Sequence, residues 1–189
     1  MQIRQLLFFR GIFCNQLRFG LIIFIILKLT TVKDVYTMKD ASNAVPVTVR
    51  LVTEITEQQR KDEKITMESD GYLHEKAGGI YLTYEETMEG TGSVKTIVKM
   101  KNEEVTILRS GAVSMRQQFR QGEETAGHYN SPYGPMEMMT KTHHIESNWH
   151  EQPAEGKLKL YYQLSMQGER IGIHRLTITF QENKEGSQS

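Results

Sequence analysis

The stretch Val45-Pro46-Val47-Thr48-Val49-Arg50-Leu51-Val52-Thr53-Glu54-Ile55-Thr56 decides the fold. Val47, Val49, Leu51 and Ile55 fall on one face at a period of two, and Thr48, Arg50, Glu54 and Thr56 fall on the other. A helix cannot gather those four apolar residues into one stripe, whereas a pleated strand does so automatically. The segment therefore reads as a half-buried strand.

Working outward, the same alternation recurs in Ile65-Met67-Ser69, Ile80-Leu82-Tyr84, Val94-Thr96-Val98-Met100, Val105-Ile107, Val113-Met115, Met136-Met138-Thr140-Thr142, Leu158-Leu160-Tyr162-Leu164-Met166 and Ile171 to Phe180. Between the runs stand turn formers: Ala77-Gly78-Gly79, Glu89-Gly90-Thr91-Gly92, Lys101-Asn102-Glu103-Glu104, Ser110-Gly111, Gln121-Gly122, Ser131-Pro132-Tyr133-Gly134-Pro135, Gln152-Pro153-Ala154-Glu155-Gly156 and Gln167-Gly168. After Met38 no ten-residue window carries a helical apolar stripe, which argues against parallel βαβ architecture. The expectation is an all-β domain, a single antiparallel meander of about eight to ten strands closed into a barrel so that no edge is left open. In the last strand Ile171 and Ile173 have one parity and Leu176, Ile178 and Phe180 the other. A bulge near His174-Arg175 would reconcile them; the alternative is a strand covered partly on both faces.

Composition separates two unlike pieces. The chain of 189 residues balances 23 Lys+Arg against 23 Asp+Glu and is 38% hydrophobic, enough for one domain with a real core and far from a disordered chain. The balance leaves no excess of positive charge for nucleic acid or an anionic membrane. Its one cysteine, Cys14, cannot form an internal disulfide or a cysteine zinc site. Residues 1–37 hold five of the seven Phe and the apolar run Leu21 to Leu27 behind Arg4, Arg10 and Arg18. Lys28 ends that run short of the roughly 17 to 25 residues of a membrane span, and no small-x-small cleavage site follows. The segment is expected to be upstream DNA translated from a start assigned too early: Lys33-Asp34 can be encoded with a ribosome-binding AAGGA ahead of the Met38 codon. A weak signal or anchor, and a structured extension, are the other readings. Residues 38–44 would then be a flexible lead, 45–181 the barrel and 182–189 a polar tail. Without Arg4, Arg10, Arg18, Lys28, Lys33 and Asp34 the balance becomes 18 against 22, a net charge of −4.

Three stretches carry a resemblance: Gly92-Ser93-Val94-Lys95-Thr96-Ile97-Val98-Lys99, Leu108-Arg109-Ser110-Gly111-Ala112-Val113-Ser114-Met115 with Phe119, and Gly134-Pro135-Met136-Glu137-Met138-Met139-Thr140-Lys141-Thr142. They resemble the YwiB-like bacterial proteins, a family of unknown function, over about residues 45–182. The resemblance implies a calycin-like, that is lipocalin-like, β-barrel, a native start near Met38 and a cytoplasmic location. It supplies no catalytic or binding residues.

Candidate chemistry is sparse. Gly90-Thr91-Gly92-Ser93-Val94-Lys95-Thr96 departs from the phosphate-loop spacing at Val94 and has no helix after it, so it reads as a hairpin turn. His143 and His144 point to opposite faces of a strand and do not readily share a metal with His150. No G-x-S-x-G elbow exists, and Glu85-Glu86 and Glu103-Glu104 read as solvated surface. No enzyme constellation, cofactor or metal is expected.

The informative residues are polar groups on apolar faces. Arg109 follows Val105 and Ile107 in parity, and without a bulge Arg175 would share the face of Ile171 and Ile173. A guanidinium inside a barrel must be paired; it would anchor an anionic ligand, or it would close a salt bridge or reach solvent along its own stem, the commoner use of such a group. Met136, Met138, Thr140 and Thr142 share a face and, with Met115, Tyr162 and Leu164, would wall a cavity for a small amphipathic or anionic molecule. The leading expectation is thus a noncatalytic barrel binding such a molecule with Arg109, Met115, Met136, Met138, Thr140, Thr142, Tyr162 and Arg175. The runner-up is a protein-interaction module using the outer surface or an unpaired edge, with a homo-oligomer among its forms. Neither nucleic acid nor a membrane is expected to meet the barrel. A cavity of a few hundred Å³ would favour the first reading, and a filled interior the second.

Overall fold

The alternation of the opening stretch becomes β1, Val45–Thr56, in which Val47, Val49, Leu51, Thr53 and Ile55 are all buried and the residues between them are half-buried or exposed. The computed structural model describes residues 44–57, 62–76, 78–88, 92–131 and 134–183. The expectations for residues 1–37, for the lead before Ala44 and for the tail from Lys184 lie outside the described residues. Nine more strands follow: β2 Glu63–Lys76, β3 Gly79–Met88, β4 Gly92–Lys101, β5 Glu104–Gly111, β6 Ser114–Arg120, β7 Glu124–Ser131, β8 Gly134–Glu151, β9 Ala154–Met166 and β10 Glu169–Glu182. Each pairs antiparallel with its neighbours in sequence, and β1 pairs with both β2 and β10, so the meander closes into a ten-stranded barrel.

Turn chemistry supports this order. Asn102 and Glu103 have φ of 51° and 61°, and Gln167 and Gly168 have 51° and 79°, the type I′ pattern whose twist suits the flanking strands. Inside, one continuous core runs from Val47, Val49 and Leu51 through Leu82, Val98 and Ile107 to Leu158, Leu164 and Ile178.

The sheet departs from a uniform cylinder at two seams. The β2–β3 ladder stops at Gly71↔Tyr84, so Glu63 to Asp70 of β2 have no ladder partner on that side among the described residues. The β6–β7 ladder holds only Ser114↔Asn130, Met115↔Tyr129 and Arg116↔His128. Beyond it the side chain of Gln117 turns into the space over Gly127, where a Cβ would lie 1.7 Å from Gln117 Oε1. Gln117 Nε2 donates to Thr125 Oγ1 at 3.1 Å and to the Gln118 carbonyl at 2.9 Å, replacing ladder bonds with side-chain ones.

Several expectations need correction. β7 was not among the expected strands, because its inward residues Thr125, Gly127 and Tyr129 include only one large apolar side chain. β8 continues through His143, where the ladder shifts register, to Glu151. Trp149 and His150 are therefore strand residues, and Trp149 packs on the core. The irregularity in β10 falls at Ile171, between Arg170 and Gly172, and not at His174-Arg175. Ile171 thereby packs on the core, while His174 keeps the inward parity of Leu176, Ile178 and Phe180. β10 also runs one residue past the expected end of the barrel, to Glu182.

Candidate functional site

Two regions concentrate polar groups that need partners. The first is interior. Cross-strand register aligns Tyr84, Thr96, Arg109, Met115, Tyr129 and Met136 in one row across β3 to β8. Arg109 is 4% exposed and its Nη2 lies 3.4 Å from Oε1 of Glu86, itself 5% exposed, while Thr96 Oγ1 donates to the same oxygen at 3.3 Å. Burial raises the Glu86 carboxyl above its ordinary value, against the pull of the Arg109 guanidinium and the Thr96 hydroxyl. Burial likewise pushes the Tyr84 phenol up to about 12 although Arg109 opposes it, and pushes the Tyr162 phenol up further.

A second row, Thr142, Tyr162, His174 and Ile55, crosses β8, β9, β10 and β1. The rings of Tyr162 and His174 stack at 5.2 Å with 13° between their planes, and Phe119 meets Tyr162 edge-on at 5.0 Å. His174 is wholly buried, and desolvation lowers its pKa to about 4, so it is neutral at pH 7. The hydroxyls of Thr53, Thr140 and Thr142 and both His174 ring nitrogens have no hydrogen-bond partner among the described residues. Between the rows lies a cavity of about 30 Å³ lined by Thr53, Arg109, Gln117, Thr140 and Tyr162 among apolar neighbours. That is room for a water or two, and far from the several hundred Å³ of a typical small-molecule site.

Of the residues expected to bind a ligand, Arg109, Met115, Met138, Thr140, Thr142 and Tyr162 are buried inside and Met136 is half-buried against the core. Arg175 is not among them. It faces outward, its guanidinium 5.0 Å from the Tyr161 ring, because the bulge lies at Ile171 and leaves the parity from Ile173 onward unbroken. Glu86 was read as surface and is interior, since it shares the parity of Leu82 and Tyr84. His174 was missed although its spacing from Leu176 and Ile178 marked it as inward.

The second region lies outside, on the far half of β8. The ladder to β7 ends at Glu124↔Lys141, after which the Thr142 N–H donates to the Glu123 carbonyl and the Ile145 N–H to Gln121 Oε1 at 3.2 Å. The Ile145 N–H therefore points away from β9. Backbone direction alternates along a strand, so the N–H and C=O of Ser147, Trp149 and Glu151 also point away from β9. No described residue pairs with them. Beside this edge an outer groove of about 540 Å³ crosses β8, β9, β10, β1 and β2, lined by Asn148, His150, Glu155, Gln181, Arg50 and Glu68 among others. Gly156 lies on the strand beneath it, and on the inner side a Cβ there would sit 2.4 Å from the Phe180 ring and 2.8 Å from Trp149 Cβ.

Comparison with known proteins agrees with this architecture. Residues 49–178 match the family model described as a domain of unknown function (DUF1934). The chain is 34% identical over 136 residues to the uncharacterized beta-barrel protein YwiB of Bacillus subtilis (strain 168), covering 72% of this chain and 93% of that one. The crystal structure of the ywiB protein from Bacillus subtilis superposes with a TM-score of 0.67 at 32% identity, over 75% of this chain and 94% of that one.

Proposed function

The chain belongs to the DUF1934 family, a bacterial β-barrel family of unknown function, and from that premise we propose that it is a noncatalytic protein-interaction module that accepts an extended segment of a partner along the free edge of β8. The observation that carries this reading is the contrast in available space: about 30 Å³ within the barrel against about 540 Å³ in the groove beside an unpaired strand edge. Strand addition draws affinity from main-chain hydrogen bonds and specificity from alternate side chains. Ser147, Trp149 and Glu151 offer the first, and the groove around His150, Glu155 and Arg50 offers the second.

The test places a photo-cross-linking residue at Asn148, on the outward face of β8, and at Lys99 on β4, in cells. Adducts at 148 that disappear with Ser147→Pro, and none at 99, are expected. Equal adducts at both positions, or adducts at 148 that persist with Ser147→Pro, would overturn the reading.

A second reading is favoured by the buried polar cluster. Structural cores seldom leave several hydroxyls and a histidine without hydrogen bonds, and such groups mark functional sites. On this reading Arg109 anchors a small anionic molecule among Met115, Met136, Met138, Thr140, Thr142 and Tyr162. The ligand must displace Glu86 and spread the wall, and the short β6–β7 ladder and the flexible methionines are its softest parts. Native mass spectrometry of protein purified from its own cells tests it: a carried-over small molecule lost with Arg109→Ala supports it, and retention in that variant removes the anchor.

A further inference from the structure

Resting on the strand-addition reading, we infer that the segment accepted by the β8 edge is the same edge of a second copy of this chain, paired antiparallel about a two-fold axis at Trp149.

The edge is self-complementary in one register. The positions with outward-directed main chain are Ser147, Trp149 and Glu151, and a two-fold axis at Trp149 sets Ser147 against Glu151 of the second copy and Trp149 against Trp149. All three are hydrogen-bonding pairs, so the junction forms about six main-chain hydrogen bonds. Asn148 then lies opposite His150 on the outer face, and no two like charges stand directly opposed, an arrangement that cross-strand energetics favours. Shifting the axis to Glu151 opposes two carboxylates and brings in Pro153. Shifting it to Ser147 recruits Ile145, whose N–H is already held by Gln121.

Protection against such pairing is thin here. Exposed edges are usually blunted by lysine, proline or a bulge. Between Glu146 and Glu151 the edge reads Ser147-Asn148-Trp149-His150, with the register shift before it at His143 and Pro153 after it. Trp149 is half-buried against Gly156 and Phe180, so pairing would bring two indoles together on the face already seated on the core. An isologous interface of this kind closes on itself.

The test uses the full chain with Cys14→Ser as background. Asn148→Cys and His150→Cys are prepared separately and mixed under mild oxidation. A disulfide-linked dimer in the mixture and none with either variant alone is expected, because only 148 opposite 150 fits the Trp149 register. Sedimentation of the chain without the added cysteines should show a species of twice the monomer mass, lost in Ser147→Pro, whose melting temperature should match that of the unsubstituted chain diluted to monomer. A monomer at every concentration, or equal cross-linking of each single variant by itself, would overturn the inference. A monomer that still forms Asn148 photo-adducts with other proteins would overturn the second copy while leaving strand addition intact; absence of both would overturn both.

Discussion

Inside the barrel, polar side chains have been removed from water and face one another across a space of about 30 Å³; at the far half of β8, polar main-chain groups have no ladder partner among the described residues. The two regions meet the same requirement differently. A buried polar group must be satisfied within the molecule or it costs stability, whereas an exposed one is satisfied by water until a better partner arrives. Disturbing the interior should therefore read out as stability, and disturbing the edge as association.

The largest expected effect is at the ion pair. Arg109→Ala leaves the Glu86 carboxylate buried without its guanidinium and should destabilise by about 3–5 kcal/mol, measured by urea unfolding. The double replacement Glu86→Leu with Arg109→Met should cost clearly less, because neither charge is left alone. Equal losses would mean that the pair is not energetically coupled and would weaken the contrast.

Next comes His174. Its folded pKa of about 4 lies below the unfolded value near 6.5, so the stability it contributes is present above pH 6.5 and is lost as pH falls toward 4. Integrated over that window the loss is about 3 kcal/mol. Glu86 acts oppositely: its raised folded pKa gives a contribution present at low pH and lost as pH rises through the folded value. Unfolding of His174→Leu between pH 7 and pH 4 should lack the acid-side loss, and an unchanged slope would remove His174 as its source.

Gly156→Ala probes the point where the regions touch. Its Cβ must push on Phe180 and Trp149, costing about 1–3 kcal/mol by overpacking. The same variant should weaken association, because Trp149 moves with it. A stability loss with association untouched would uncouple the edge from the core behind it.

The smallest stability effect is expected for Ser147→Pro, within about 0.5 kcal/mol, since the missing N–H makes no bond to any described residue. A large drop in melting temperature would show that this edge is already engaged within the chain.

Much of this was legible in the order of residues. Alternation located nine of the ten strands, and turn formers separated them. The exception, β7, has a glycine where an apolar residue would announce the inward face, and Gly127 is there because Gln117 occupies the space above it. Parity was the reliable signal at the interior as well. It placed Arg109 correctly and, followed strictly, would have placed Glu86 and His174 too. Reading Glu85-Glu86 as an exposed pair set composition above parity, and Arg175 was an inward candidate only on an unbroken parity with Ile171, which the irregularity at Ile171 removes.

What the sequence by itself determined is the local periodicity: which residues form strands, which face each presents and where the chain turns, because side-chain alternation and turn dihedrals are properties of neighbouring residues. Only the tertiary structure decided that Glu86 meets Arg109, that the interior is filled and that β8 outruns β7. Each of those depends on register and stagger between strands, which closing ten strands into one barrel sets and no single strand contains.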